Sequence, residues 1–554
     1  MANLFRMRRL VTFLCAGALV GGSALVSGAF ADNPLLPVDG GTAVTQCYAQ
    51  ASSDLDDSGY KFCRSMQALA AGVAAGCRTP LRSAPDASLP EWCGLFDGRE
   101  VSEARIAAYE KSWVHRALTL QRGLDARASL WEEQLLHTHN SFNASSYAVP
   151  TPNARDGVSL PSYYATLTNQ DPNQVYSITD QLRMDIRAIE IDLHWVPSPY
   201  GTAATHGYWP TMCHGDQQDP TGKGLYVHVG CTDDRPMQDG LAELKRWLHA
   251  HPKEFVLVYL ENQLAPGGPI ASQQQAHDVA ASIISQQLGS LVYKPPAGLS
   301  GGSCAPMPYD ETRAAMMKSG RQVLLVGNCG PGAWNQWVFT RGPSWDESGS
   351  PTHYSEADCA ADMKAREHHT SFRRFFEASP WLEAMTNATQ TLTAQTAARM
   401  VQCGVNIAGF DQLEPFDGRL EAMVWSWAKG QPSSSGGCAL QGTDTRFHAA
   451  GCGEHHRFAC VDGGLDWHVT QAAGEWRAGA DVCSAEFPGS SYGVPPNGYR
   501  NGQLASARPP GTGDVWLDYA QVQGSWVADP PVSHGKGHAT GHGKGHDKTR
   551  HRRH

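Results

Sequence analysis

The sequence predicts an α/β protein whose centre is a set of parallel strands. Three observations predict it. Between residues 131 and 430, short apolar runs of strand character alternate with amphipathic runs of helix length. Such alternation marks strands joined by crossover helices. Strand runs stop on groups that prefer water, as "LLHTHNSF" at 135–142 stops on His139 and Asn140. The stretches on either side have a different texture, helical with cysteines before and rich in Cys, Trp and Gly after.

Taken in order, residues 1–31 read as an export signal. Arg6, Arg8 and Arg9 precede an apolar stretch that ends at Ala29-Phe30-Ala31, a small-residue cleavage site before Asp32. No later run approaches the roughly 18 apolar residues that a membrane helix needs, so the mature chain is expected to be secreted. Residues 32–130 read as a helical segment holding Cys47, Cys63, Cys77 and Cys93, and its amphipathic end from about 102 to 134 predicts a helix packed on the next domain. Within 131–430 the expected strands are 132–139, 187–195, 255–262, 323–327 and 405–411, with helices at 239–250 and 272–288. "QPSSSGG" at 431–437 reads as a linker. Residues 438–530 form a Cys-rich, Trp-rich module, in which Trp467, Trp476, Trp516 and Trp526 are expected in a core. The tail at 531–554 is of low complexity, with His534, His538, His542 and His546 every fourth residue, and is expected to be solvated and disordered.

Composition narrows the function. Lys and Arg number 44 against 54 Asp and Glu, a net charge of −10, which argues against a general nucleic-acid binder because that needs a basic face. Of 15 cysteines, Cys15 lies in the signal and 14 remain. An even number in an exported chain points to disulfides, whose pairing the sequence does not give. The absence of a close C-x-x-C pair makes structural zinc a poor reading.

Chemistry concentrates at the strand ends. In "RAIEIDLHW" at 187–195, alternation puts Glu190, Asp192 and His194 on one face and Ile189, Ile191 and Leu193 on the other. Two carboxylates side by side repel unless a cation lies between them. "FVLVYLEN" at 255–262 is a buried apolar strand closing on Glu261 and Asn262. Asn140, Glu190, Asp192 and Glu261 thus offer an oxygen-rich set that favours calcium over zinc. His139 has a candidate partner in His214 of "MCHGD". Two histidines beside a divalent metal suit phosphodiester chemistry, one taking a proton from the attacking hydroxyl and the other protonating the leaving oxygen. Cys213 and Cys231 flank that loop, and a bridge between them would stiffen it.

The ordered set "THNSF", "EIDLHW", "CHG" and "VYLEN" resembles the catalytic X region of phosphatidylinositol-specific phospholipases C, in the calcium-dependent, eukaryote-type branch. The resemblance covers 135–262 well and the remainder to about 430 loosely. It implies a distorted (β/α)8 TIM-type barrel and attack of the inositol 2-hydroxyl on phosphorus. Diacylglycerol and a cyclic inositol phosphate would result. It also implies His139 and His214 as the catalytic histidines, and Asn140, Glu190, Asp192 and Glu261 as ligands of Ca2+. The substrate is then a phospholipid at a membrane surface, and a monomer is expected. Members of that branch carry lysines after the strand matching "VLLVGNC", where this chain has Val326-Gly327-Asn328. A preference for phosphorylated head groups is therefore not implied.

The C-terminal stretches "CALQGTDTRFHAAGCGEHHRFAC" and "WRAGADVCSAEFPGSSYGV" resemble parts of a C-type-lectin-like domain in permuted order. That resemblance implies Cys438–Cys452 and Cys460–Cys483 bridges and raises a glycan, protein or membrane ligand for the module, against a purely stabilising cap. Two other functions compete with the inositol lipid reading. A glycerophosphodiesterase or other phospholipid phosphodiesterase would share fold and metal, but "HNS" stands where those families have His-Arg. A non-catalytic binding protein on a barrel scaffold would show no metal-dependent turnover.

Overall fold

The computed structural model of the chain describes residues 102–144, 173–197, 200–213, 216–218, 227–229, 235–264, 273–297, 303–348, 354–377, 392–434, 436–463 and 465–530. The expected signal, Cys47, Cys63, Cys77 and Cys93, and the histidine-rich tail lie outside the described residues. No helix among the described residues is long and apolar enough to cross a membrane.

The amphipathic run at 102–134 is two helices, not one. Helix α1 (Glu103–Tyr109) is capped by Ser102 and α2 (Trp113–Asp125) by Ser112, whose hydroxyl accepts from the His115 amide and so starts a new helix. A 3-10 turn at Leu130–Glu132 then leads into the first strand.

Among the described residues, twelve strands come before residue 430: β1 (Leu135–Thr138), β2 (Ala188–Pro197), β3 (Tyr208–Met212), β4 (Asp216–Gln218), β5 (Val227–Val229), β6 (Val256–Gln263), β7 (Val292–Tyr293), β8 (Val323–Gly327), β9 (Phe339–Thr340), β10 (Trp345–Asp346), β11 (Phe372–Phe376) and β12 (Ile407–Phe410). Eight of them run in the order β10-β11-β12-β1-β2-β6-β8-β7, every neighbouring pair parallel, and β9 is parallel to the upper part of β8. Among the described residues no ladder joins β10 to β7 or β9, which locates the distortion of the barrel. The five strands read from sequence are all present. Those it missed are two to five residues long, too short for an alternation to register.

The two faces of the curled sheet bury different things. Ile189, Ile191 and Leu193 of β2 face outward into a large apolar cluster. Helices α3 (Ile178–Arg183), α4 (Met237–Ala250) and α5 (Gln273–Gln287) pack there; Leu241, Leu244 and Leu248 lie on one face of α4 at the i, i+3, i+7 spacing. Leu135, Ala188, Leu257, Leu324, Phe372 and Ile407 face inward in a second cluster that fills the lower barrel. Toward the carboxyl ends the inward residues become polar: His137 on β1, Glu190 and Asp192 on β2, Arg374 on β11. Gly409 of β12 makes room for this, since a Cβ there would stand 2.7 Å from His137 Cδ2 and 3.0 Å from Phe376 Cβ.

The C-terminal module is built on β13 (Cys438–Gln441), β14 (Phe447–Ala450), β15 (Arg457–Val461), β16 (Trp467–Val469), β17 (Ser491–Tyr492), β18 (Val515–Val522) and β19 (Ser525–Ala528), in the order β14-β13-β18-β15-β16. Along that path only β15 and β18 are parallel. Cys438 pairs with Cys452 and Cys460 with Cys483, as expected, and Cys304–Cys329 and Cys359–Cys403 brace the barrel. Trp467, Trp476 and Trp516 are buried, while the half-buried Trp526 lies with its ring 4.6 Å from that of Trp427.

The module is not held at a distance by its linker. Phe447, Leu504 and Leu517 belong to the same apolar cluster as the outer face of the barrel. Glu132, at the entry to β1, accepts from Arg500 Nη2 and Nε at 2.8 and 3.1 Å and from Asn497 Nδ2 at 2.8 Å. Burial opposes the charge on Glu132, but His369, Arg366 and Arg500 outweigh it and hold the carboxyl well below its ordinary range. A depressed pKa means stability that is present above the unfolded value, about 4.3, and lost as pH falls below it. Glu132→Gln should therefore destabilise the protein by about 3–5 kcal/mol at neutral pH, the cost of leaving buried arginines without their carboxylate. In denaturant titrations the gap to wild type should close as pH falls below about 4, and a gap independent of pH would remove the ion pair as its cause.

Candidate metal centre and acid–base pair

The chain leaves β1 at His139 and turns at Asn140, whose φ is +44°. Asparagine is among the few side chains that enter the left-handed region readily. The turn brings the Asn140 backbone N–H to Glu190 Oε2 at 3.2 Å. Glu190, Asp192 and Glu261 come from the parallel neighbours β2 and β6, where Asp192 registers with Glu261. One oxygen from each of these three carboxylates lies within 4.8 Å of the others. Glu190 and Asp192 are buried and Glu261 is half-buried at the rim.

Three carboxylates this close cannot all be ionised comfortably. Burial, and then Glu261 and Glu190 beside it, push Asp192 well above the ordinary range, and burial with Glu190 raises Glu261. Glu190 goes the other way. Burial opposes its charge, but Arg374, His139 and His137 outweigh that and hold it ionised. Arg374 Nη2 donates to Glu190 Oε2 at 2.5 Å, and its Nη1 donates to Glu347 Oε1 at 2.7 Å. The donor set is all oxygen, with surplus negative charge and an amide at its edge, so it fits a hard divalent cation such as calcium.

His139 stands on the other side of the cluster. Its Nδ1 lies 3.4 Å from Asp411 Oδ1, its Nε2 lies 4.0 Å from Glu190 Oε2, and its ring rests on Phe376 with centroids 4.7 Å apart. Burial lowers its pKa, but Asp411 and Glu190 outweigh burial and the net shift is upward. With Nδ1 turned to Asp411, Nε2 is the nitrogen presented to the carboxylates, an arrangement able to move a proton there.

Five of the six residues expected from sequence, His139, Asn140, Glu190, Asp192 and Glu261, are thus brought together. His214 lies outside the described residues, but Cys213, immediately before it, donates its backbone N–H to the Asp192 carbonyl at 3.3 Å. Cys213 is disulfide-bonded, and Cys231 is outside the described residues. Sequence reasoning missed Asp411, Asn173, Arg374 and Arg341. Asp411 carried the same signal as Glu261, a carboxylate closing an apolar strand. Arg341 reaches Asn328 Oδ1 from beyond β9 at 2.7 Å, so a cation stands by the strand end that has no lysine of its own.

Comparison with known proteins identifies the family. Residues 97–417, which hold every candidate side chain, match the model described as the Rv2075c PI-PLC-like domain. The chain belongs to that family. Two Mycobacterium tuberculosis relatives, the uncharacterized proteins Rv2075c of strain H37Rv and MT2135 of strain CDC 1551, are each 35% identical over 473 residues, covering 82% of this chain and 88% of the relative. Among solved structures, the phosphatidylinositol-specific phospholipase C of Listeria monocytogenes is 12% identical with a TM-score of 0.34, covering 55% of this chain and 98% of that one. A calcium-dependent phosphoinositol-specific phospholipase C from a Pseudomonas species is 12% identical with a TM-score of 0.26, covering 53% and 97%. The family match ends before the C-terminal module, so nothing in it bears on the lectin-like resemblance.

Proposed function

We propose that the chain is a secreted, calcium-dependent phosphodiesterase that cleaves phosphatidylinositol-type lipids to diacylglycerol and a cyclic inositol phosphate. The observation that carries this reading is the meeting of three carboxylates with a histidine–aspartate pair at the carboxyl ends of parallel strands, where barrel enzymes build their sites. The family membership supports the reaction class. Asn140, Glu190, Asp192 and Glu261 would hold calcium, which when bound supplies a Lewis acid for the attacking hydroxyl and the charge on phosphorus.

The chain's own residues do the rest. Asp411 holds the His139 ring so that Nε2 faces the reacting atoms. His214 comes directly after the residue bonded to Asp192 and would be the second proton carrier. One imidazole takes the proton of the inositol 2-hydroxyl as its oxygen bonds to phosphorus. The other gives a proton to the diacylglycerol oxygen as the old P–O bond breaks. Phe376, at the end of β11, packs against the His139 ring and helps to fix its orientation.

The test is head-group release from phosphatidylinositol vesicles by the purified protein, in calcium and then in excess chelator, with phosphatidylcholine vesicles as control. Release of an inositol phosphate only from the first lipid and only in calcium is the expected result. Release that persists in chelator would remove the metal from the reaction, and no release from either lipid would sink the substrate assignment.

A further inference from the structure

We infer that Asn173 is a positioning residue: anchored in one sense by Asp411, its amide turns Asn140 so that the Asn140 carbonyl oxygen faces the carboxylate cluster. The inference rests on the calcium reading above. A primary amide has a donor end and an acceptor end, so its orientation is set by what its neighbours can take. Asn173 is fully buried, and its backbone carbonyl accepts from the Gln412 N–H at 2.7 Å, which pins it at the exit of β12. Its Nδ2 donates to Asp411 Oδ2 at 3.1 Å. A carboxylate only accepts, so the other end of the amide, Oδ1, faces away from Asp411. There it accepts from Asn143 Nδ2 at 2.8 Å and from Asn140 Nδ2 at 3.2 Å.

With its nitrogen so committed, Asn140 turns its oxygen toward Asp192. The reverse orientation would let the Asn140 nitrogen donate to the two Asp192 oxygens at 3.0 and 3.1 Å, but would set its oxygen 3.2 Å from Asn173 Oδ1. Two arrangements therefore compete. In one, Asn140 closes a hydrogen bond to Asp192 and offers no ligand. In the other, amide and carboxylate oxygens face each other, a contact that a cation between them relieves. The chain Asp411–Asn173–Asn140 favours the second. It also ties the residue that orients His139 to the residue that completes the metal site, through one side chain.

Calcium titration by calorimetry on the intact chain, freed of metal by chelator, tests this in wild type, Asn173→Ala and Asn173→Asp. Thermal unfolding in chelator reports whether each variant is folded. Asn173→Ala should bind calcium about tenfold or more weakly, the usual effect of removing a group that orients a ligand. Asn173→Asp can share a proton with Asp411 and still present an acceptor to Asn140, so it should stay within about threefold of wild type. If Asn173→Ala does not fold, Asn173→Ser, which has no fixed donor and acceptor ends, takes its place with the same expected loss. Equal affinity in wild type and the folded Ala or Ser variant would overturn the inference. So would an equal loss in Asn173→Asp, since that variant keeps both the volume of the side chain and the acceptor that faces Asn140. Absence of calcium binding by wild type would overturn the metal reading itself, a result distinct from either.

Discussion

His139→Ala should lower calcium-dependent turnover by about 10²–10⁴-fold, the range for losing a positioned proton carrier, while leaving the protein folded. The separation of the two effects comes from where the residue sits. His139 ends a strand at the rim, and its polar contacts run to Asp411, Asn173 and Glu190 rather than into either apolar cluster. The cavity left by its removal opens toward solvent, so packing loses little. Steady-state turnover on phosphatidylinositol vesicles and thermal unfolding, measured on the same preparation, check both halves. Turnover within about threefold of wild type would take His139 out of the reaction, since a positioned proton carrier contributes far more than that. A collapse of the melting temperature would make it a structural residue.

Arg374→Met should cost about 3–5 kcal/mol of folding stability, the penalty for removing one partner from a buried charge pair. Arg374 is 2% exposed and stands in the polar middle of the barrel. It holds Glu190 at 2.5 Å and Glu347 at 2.7 Å, donates to His137 Nε2 at 3.0 Å, and lies between the rings of Tyr259 and Phe376, 4.6 and 4.5 Å from their centroids. Methionine fills much of that volume but takes the guanidinium from the buried Glu190, while Glu347 keeps Arg341 at 2.9 Å. Urea titration reads the loss directly. A loss under about 1 kcal/mol would mean that the carboxylates find protons or water without difficulty. Arg374→Lys keeps the charge but cannot serve both carboxylates with a planar fork, and should fall between wild type and Arg374→Met.

Much of the candidate site was legible because strand chemistry is local. A β-strand alternates its faces, so "EIDLHW" by itself puts Glu190 and Asp192 together, and an apolar run closing on an acid by itself puts Glu261 at a strand end. Asp411 could have been found by the same rule. Asn173 could not. It lies in none of the strand or helix runs read from the sequence, and its role depends on Asp411, 238 residues later. Arg374 was hidden for another reason: its strand is only five residues long, too short for an alternation to register, and only closure of the sheet shows that it points into the barrel.

The boundary between barrel and C-terminal module shows the same division. The sequence marked a linker at 431–437, and composition did change there. Yet Glu132, on the barrel side, bonds Arg500 from 368 residues away, and one apolar cluster runs through both parts. Sequence alone determined the class of the fold, the faces of the strands, the acidic and histidine residues at their ends, and through a family resemblance the pairing of the C-terminal cysteines. These come from short-range geometry, from matched motifs and from what each side chain can do. Tertiary structure alone decided which strand ends meet, that Asp411 stands behind His139, that Arg374 offsets the charge of Glu190, and that the module rests on the barrel. Such contacts are set by how the sheet curls and which strands become neighbours, and no local pattern in a chain encodes the distance between its remote parts.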